Sequence, residues 1–280
     1  MSPDSWITSG RAGLAVEIVG SGDPVIFLHA NVCDRRMWRD QLDTIGASRK
    51  AVAYDRRGFG QTRAGREDFS AVSDLKAVMD ATAGSAPAIL VGCSQGGRIA
   101  IDMALLHPSS VRGLVLIAPS VAGAPPPEHS PEIGQLMAQA DAEASRGLEQ
   151  ANAVKARLWL DGPLAPDGRV GGEARRLFLE MNGIALRSPP FGSDLDAVPA
   201  YRRLGEISVP TLVIWGDLDF PHIQERSRHL ASTIPNASGQ VLAGAAHLPS
   251  LERPAEVTRL IAAFLGHSPG RGEARVTPPG

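Results

Sequence analysis

The chain has 280 residues, enough for one large α/β domain with a well-buried core or for two small domains. A net charge of −2 with no clustered Lys or Arg excludes a nucleic-acid surface, and 43% hydrophobic against 21% charged residues is the balance of an ordinary globular protein. Two cysteines, Cys33 and Cys93, make no disulfide framework and no metal-ligand spacing, and neither a signal-peptide pattern nor a bilayer-length apolar run is present. The expectation is a cytoplasmic protein without metal, cofactor, membrane or nucleic-acid partner; a homodimer is compatible with the sequence.

In chain order, Trp6–Thr8 and Leu14–Val19 read as an antiparallel pair. Pro24–His29 is a continuous apolar run, as a strand buried on both faces should be, and breaks into Ala30-Asn31-Val32-Cys33-Asp34. Met37–Leu42 carries a short helical pattern. Ala51–Asp55 is another buried strand, followed by the loop Arg56-Arg57-Gly58-Phe59-Gly60-Gln61-Thr62. Val72, Leu75, Val78 and Met79 predict a helix over Phe69–Thr82. The run Ile89-Leu90-Val91-Gly92-Cys93-Ser94-Gln95-Gly96-Gly97 then predicts a strand, a sharp turn and a helix that closes near His107-Pro108; Val111–Ala118 is the next strand.

The alternation stops at Pro125-Pro126-Pro127, and from Ser130 to about Leu186 the pattern is helical. It resumes with a strand at Pro210–Trp215, a helix over Ile223–Ile234, a short strand at Gly239–Leu242 and a last helix from about Pro254 to Leu265. The implied division is a core from residues 1–119 and 200–266, a helical lid from 120–199 inserted after the sixth strand, and a disordered tail at 267–280. The fold class is α/β, a mostly parallel twisted sheet with helices on both faces. Asn31, Asp55, Ser94, Asp219 and His247 each follow a predicted strand, so they should gather at the carboxyl edge beneath the lid.

Gly-x-Ser-x-Gly between a strand and a helix is the context of a nucleophile elbow, where small neighbours keep side chains from colliding across the turn. A serine hydroxyl needs a base, and the base needs an orienting group. His247 is the candidate base and Asp219 the candidate carboxylate; Asp217, directly after Gly216, is expected to hold its turn instead. His29 is expected to bond neighbouring loops, Asp55 to pin its Arg-Gly loop, and Cys93 to be an inert small hydrophobe. His222 is expected to begin a helix.

The order Ser94, Asp219, His247 is that of the α/β-hydrolases. His29-Ala30-Asn31, Asp55-Arg56-Arg57-Gly58-Phe59-Gly60, the Gly-Cys-Ser-Gln-Gly-Gly elbow, Gly216-Asp217-Leu218-Asp219 and Gly-Ala-Ala-His247-Leu-Pro resemble that superfamily over residues 5–266. The Asp34-x-x-Met37-Trp38 run and the small lid are most similar to 3-oxoadipate enol-lactonases and related esterases. The resemblance implies the α/β-hydrolase fold, a Ser-His-Asp triad, and an oxyanion hole from the backbone N–H groups of Asn31 and Gln95. This chain has Ala30 where the family usually has Gly.

The expected activity is hydrolysis of a small-molecule ester or lactone through an acyl-enzyme. Carbon–carbon bond hydrolysis, a cofactor-free lyase and a small-molecule receptor are the alternatives; Asp-nucleophile epoxide hydrolases and haloalkane dehalogenases are disfavoured by Ser94. Trp159, Phe178, Met181 and Trp38 are the candidate substrate contacts. The lid arginines Arg157, Arg169, Arg175, Arg176 and Arg187 read either as a carboxylate site or as a solvated helix face.

Overall fold

The computed structural model describes residues 5–267. Among the described residues nine strands form one sheet: β1 (Ser5–Ser9), β2 (Ala12–Val19), β3 (Pro24–Leu28), β4 (Lys50–Tyr54), β5 (Arg63–Ala64), β6 (Ala88–Cys93), β7 (Val111–Ile117), β8 (Thr211–Gly216) and β9 (Ala237–Leu242). The spatial order is β1-β2-β4-β3-β6-β7-β8-β9, with the short β5 beside β2. The β1–β2 and β2–β4 pairs are antiparallel; every pair from β4 through β3 to β9 is parallel.

Every residue of β3, β6 and β8 is buried, which is why these strands read as unbroken apolar runs. Successive side chains enter opposite cores. Val25 and Phe27 of β3 join one cluster with Leu42 of α1 (Arg39–Gly46) and Val257 and Ile261 of α9 (Pro254–His267). Ile26 and Leu28 join the other, with Leu75 of α2 (Ala71–Ala83), Ile99 of α3 (Gln95–Leu106) and Leu230 of α7 (Pro221–Thr233).

Between β7 and β8 lie α4 (Pro131–Ala144), α5 (Leu148–Lys155), a π-helical turn at Ala156–Asp161 and α6 (Gly172–Arg187). This insert is seated on the core at two places. Ala156, Leu160, Phe178 and Met181 join the β3 cluster, whereas Ile133, Val154 and Leu158 pack with Phe220 and Ile223. The chain leaving it pairs its backbone with the segment before α2, through Glu67 N–H to Phe191 O (3.3 Å) and Phe69 N–H to Ser193 O (2.9 Å).

Several elements differ from their sequence expectation. The pattern at Met37–Leu42 divides into a 3₁₀ turn at Arg35–Trp38 and α1, because Asp34 caps the turn by accepting from the Arg36 N–H. The two residues of β5 follow the Arg56–Thr62 loop, in a stretch to which the sequence assigns no element. A short helix α8 (Pro249–Glu252) intervenes before α9. The tail expected to be disordered falls, apart from His267, outside the described residues. No helix among the described residues is long and apolar enough to cross a membrane.

Candidate active site

Ser94 lies between β6 and α3 with φ 52° and ψ −115°, a backbone state that costs an L-residue about 1–3 kcal/mol. Its N–H donates to Ile117 O at 2.9 Å, and its carbonyl accepts from the Arg98 and Ser120 N–H groups at 3.1 Å each. A Cβ at Gly92 would stand 2.4 Å from Gly96 O, across the turn as expected. A Cβ at Gly96 would instead stand 2.2 Å from Leu28 O, so this second glycine clears the neighbouring strand β3 rather than the turn.

His247 and Asp219 are both buried. His247 Nδ1 lies 2.7 Å from Asp219 Oδ2. A carboxylate only accepts, so Nδ1 carries the proton and Nε2 is left as the basic nitrogen. The other carboxylate oxygen accepts from the Phe220 N–H at 2.7 Å, and Gln224 Nε2 donates to the Asp219 carbonyl at 2.8 Å. Asp217 is exposed, and its Oδ1 accepts from the Gly244 N–H at 2.7 Å. Trp159, on the π-helical turn, sets its ring 4.7 Å from the imidazole and 4.9 Å from Phe220.

Asn31 sits in the turn after β3, and Gln95 is the first residue of α3, where a backbone N–H has no acceptor within its own helix. His29 ties this loop to the next. Its Nδ1 donates to Ala30 O at 2.8 Å, and its Nε2 accepts from the Arg56 N–H at 3.0 Å. Acceptance at Nε2 requires the neutral ring, and burial holds its pKa well below the ordinary histidine value. The Ala30 carbonyl also accepts from the Cys33 N–H at 3.1 Å, so the loop is fixed with alanine at that position. Asp55 accepts from the Gln61 N–H and the Arg35 N–H, both at 2.8 Å, and pairs with the Arg35 guanidinium, which pins two loops rather than one. Cys93 is buried against the elbow and burial pushes its thiol pKa up, as an inert side chain requires.

Ser94 and His247 open onto one cavity of about 290 Å³, lined also by Asn31, Phe59, Trp159 and Asn182. Of the four expected substrate contacts, only Trp159 lines it. Trp38, Phe178 and Met181 are fully buried in the β3 core cluster. The Trp38 ring packs on Phe27 at 5.4 Å, and the Met181 sulfur lies 3.4 Å from the Asp34 N–H. The cavity wall on α6 is instead Asn182, Ala185 and Leu186, which begin one turn beyond Phe178 toward the end of the helix and largely continue its face. The lid arginines do not line the cavity. Arg157 pairs with Glu143 at 3.2 Å, Arg175 with Asp161 at 2.7 Å, Arg176 with Glu173 at 3.7 Å, Arg169 with Glu252 at 2.7 Å, and Arg187 donates to Gly183 O at 2.9 Å. The cation on the wall is Lys155, at the end of α5. Neither Lys155 nor Asn182 stands out in sequence, where each is a single polar residue on an amphipathic helix.

The chain is 28% identical over 273 residues to the AB hydrolase superfamily protein YisY of Bacillus subtilis, covering 92% of this chain and 97% of that protein. It is 26% identical to the monoacylglycerol lipase ABHD6 of Mus musculus, over 88% of this chain and 76% of the relative. Among solved structures, a thermophilic esterase from Thermogutta terrifontis superposes with a TM-score of 0.73 at 24% identity, covering 95% and 98% of the two chains. The enol-lactonase from Burkholderia xenovorans LB400 gives 0.73 at 22%, covering 94% and 100%. With the elbow, the strand order and a family model that matches residues 25–260, the chain belongs to the alpha/beta hydrolase family.

Proposed function

We propose that the protein hydrolyses a carboxylic ester or lactone of a small molecule, with Ser94 as nucleophile, His247 as general base and Asp219 as its orienting carboxylate. The observation that carries this is the buried 2.7 Å Asp219–His247 pair, whose histidine lines the same cavity as Ser94. In this reading Ser94 Oγ attacks the substrate carbonyl while His247 Nε2 takes its proton. Asp219 stabilises the imidazolium that results. The N–H groups of Asn31 and Gln95 receive the developing oxyanion; one such donor is worth on the order of 10²–10³ in turnover. His247 then returns the proton to the leaving oxygen, and water, activated by the same base, releases the acid. Esterase, lactonase and lipase activities named for the similar proteins support this chemistry.

The test is labelling with a fluorophosphonate together with turnover of ester and lactone panels. One phosphonyl adduct mapping to Ser94, and loss of both adduct and turnover in Ser94→Ala, are expected. An adduct on Cys93 or on another serine would overturn the assignment.

A further inference from the structure

Of the three α6 residues on the cavity wall, only Asn182 is polar. It is 3% exposed, and a polar group so buried costs folding free energy unless it is partnered. Half of its amide is. Asn182 Nδ2 donates across to α5, to Asn152 Oδ1 at 2.8 Å. Asn152 donates in turn from its own Nδ2 to Leu179 O at 2.8 Å. A backbone carbonyl only accepts, so Asn152 has to turn its amino group to Leu179 and its oxygen to Asn182. That oxygen also only accepts, so the amino group of Asn182 is the part that meets it. The relay to Leu179 therefore fixes which way both amides point. What it leaves over is Asn182 Oδ1. This oxygen accepts from no donor among the described residues and is not sealed from solvent. The space that Asn182 borders is the cavity that holds Ser94 and His247. Lys155 of α5 borders it too, and the two residues are opposite in kind: the free oxygen only accepts, the ammonium only donates.

We propose that Asn182 Oδ1 sets specificity by receiving an O–H or N–H carried on the alcohol part of the substrate, and that Asn152 positions it. The proposal rests on the hydrolase reading of Ser94. His247 has to reach the oxygen that leaves, so the leaving alcohol lies on the His247 side, in the cavity that Asn182 borders. A donor on that alcohol pairs with the oxygen. An alkyl alcohol of the same shape displaces water from it and leaves it unpaired, which is a larger penalty than a missing methylene in an apolar pocket. The preferred substrates are then monoesters of diols or polyols, or esters of N-acylated amino alcohols, over simple alkyl esters. Lys155 is the competing reader of the same part of the substrate. It stands half-exposed, where water satisfies an ammonium group, and it would select an acceptor such as an ether oxygen.

The experiment measures kcat/KM by proton release at constant pH, with one acyl group throughout. Three pairs differ by a donor alone: 2-hydroxyethyl against propyl, 3-hydroxypropyl against butyl, and 2-acetamidoethyl against 4-oxopentyl esters. A fourth, 2-methoxyethyl against butyl, adds only an acceptor. The wild type should favour the donor-bearing ester by about fivefold or more in at least one of the first three pairs, and the pair with the largest ratio tells hydroxyl from amide. That ratio should be lost in Asn182→Leu and kept in Lys155→Met. In Asn152→Leu the Asn182 amide is free to turn its amino group to the cavity. The donor ratio should then fall and the methoxyethyl ratio rise severalfold, whereas a merely structural defect lowers all esters together. Wild-type ratios at or below one in all three donor pairs, a ratio unchanged in Asn182→Leu, or a ratio lost in Lys155→Met but kept in Asn182→Leu would each overturn the assignment. A donor ratio untouched by Asn152→Leu would overturn the relay. If no ester turns over, the hydrolase reading fails by itself. The uncleaved amides N-(3-hydroxypropyl)butanamide and N-butylbutanamide then test Asn182 through the melting temperature: a larger rise with the hydroxyl amide that Asn182→Leu removes supports it, and equal rises or none overturn it.

Discussion

Asp217 and Asp219 are two residues apart and each accepts a backbone N–H, yet only Asp219 reaches a histidine. Asp219→Asn should therefore lower kcat by about 10³–10⁴, because an amide neither selects the tautomer nor stabilises the imidazolium. Asp217→Asn keeps an oxygen for the Gly244 N–H and should change kcat by only a small factor; steady-state kinetics of the two variants decides, and equal losses would reject Asp219. His29 gives a prediction in pH. The fold holds this ring neutral, whereas the unfolded chain takes up a proton at the ordinary value of about 6.5. The stabilisation is therefore complete above about pH 6.5 and declines as pH falls below it. His29→Gln does not titrate, so the gap between wild-type and variant melting temperatures should narrow from pH 8 to pH 5. A gap that stays constant would show that the bond to Nε2 does not depend on the neutral form.

The elements of the insert separate two kinds of burial that one hydrophobic period cannot distinguish. Phe178 and Met181 of α6 face the core, while Asn182, Ala185 and Leu186 of the same helix face the cavity. Phe178→Ala should cost about 3–5 kcal/mol in urea unfolding and leave substrate preference in place. Trp159→Ala should instead reorder preferences across an ester series, since its ring bounds the cavity at the imidazole. The reverse outcome would return Phe178 to the pocket. The same distinction explains what was legible in the sequence. β3, β6 and β8 are buried on both faces, so their residues are apolar without interruption and cannot be mistaken for loops. Where along α6 the core gives way to the cavity was not legible, because core and cavity both select apolar side chains. Neither was β5, a two-residue strand that pairs with β2.

At the scale of the whole molecule, the parallel sheet brings Asn31, Ser94, Asp219 and His247 to one edge from strands far apart in sequence, and their position after strands made this much legible. The return of the insert was not, since backbone bonds that no local pattern encodes tie residues 67–69 to residues 191–195. Arg169 links the insert to the core by several bonds at once. It donates to Leu160 O (3.0 Å), Asp161 O (2.7 Å) and Gly244 O (2.9 Å) and pairs with Glu252, which in turn accepts from the Ala246 N–H beside His247. Arg169→Met should speed hydrogen exchange at residues 245–248 and slow phosphonate labelling of Ser94, with exchange in β3 and β6 unchanged. Unaltered exchange at 245–248 would show that the His247 loop holds itself. The same guanidinium thus joins the roof and the base in an interlock. An insert that lifted at this end would withdraw these bonds from the loop before His247, so the site would be complete only with the insert seated. Turnover would then follow the fraction of time spent shut, and solvent viscosity would slow it even where the bond-breaking step is fast.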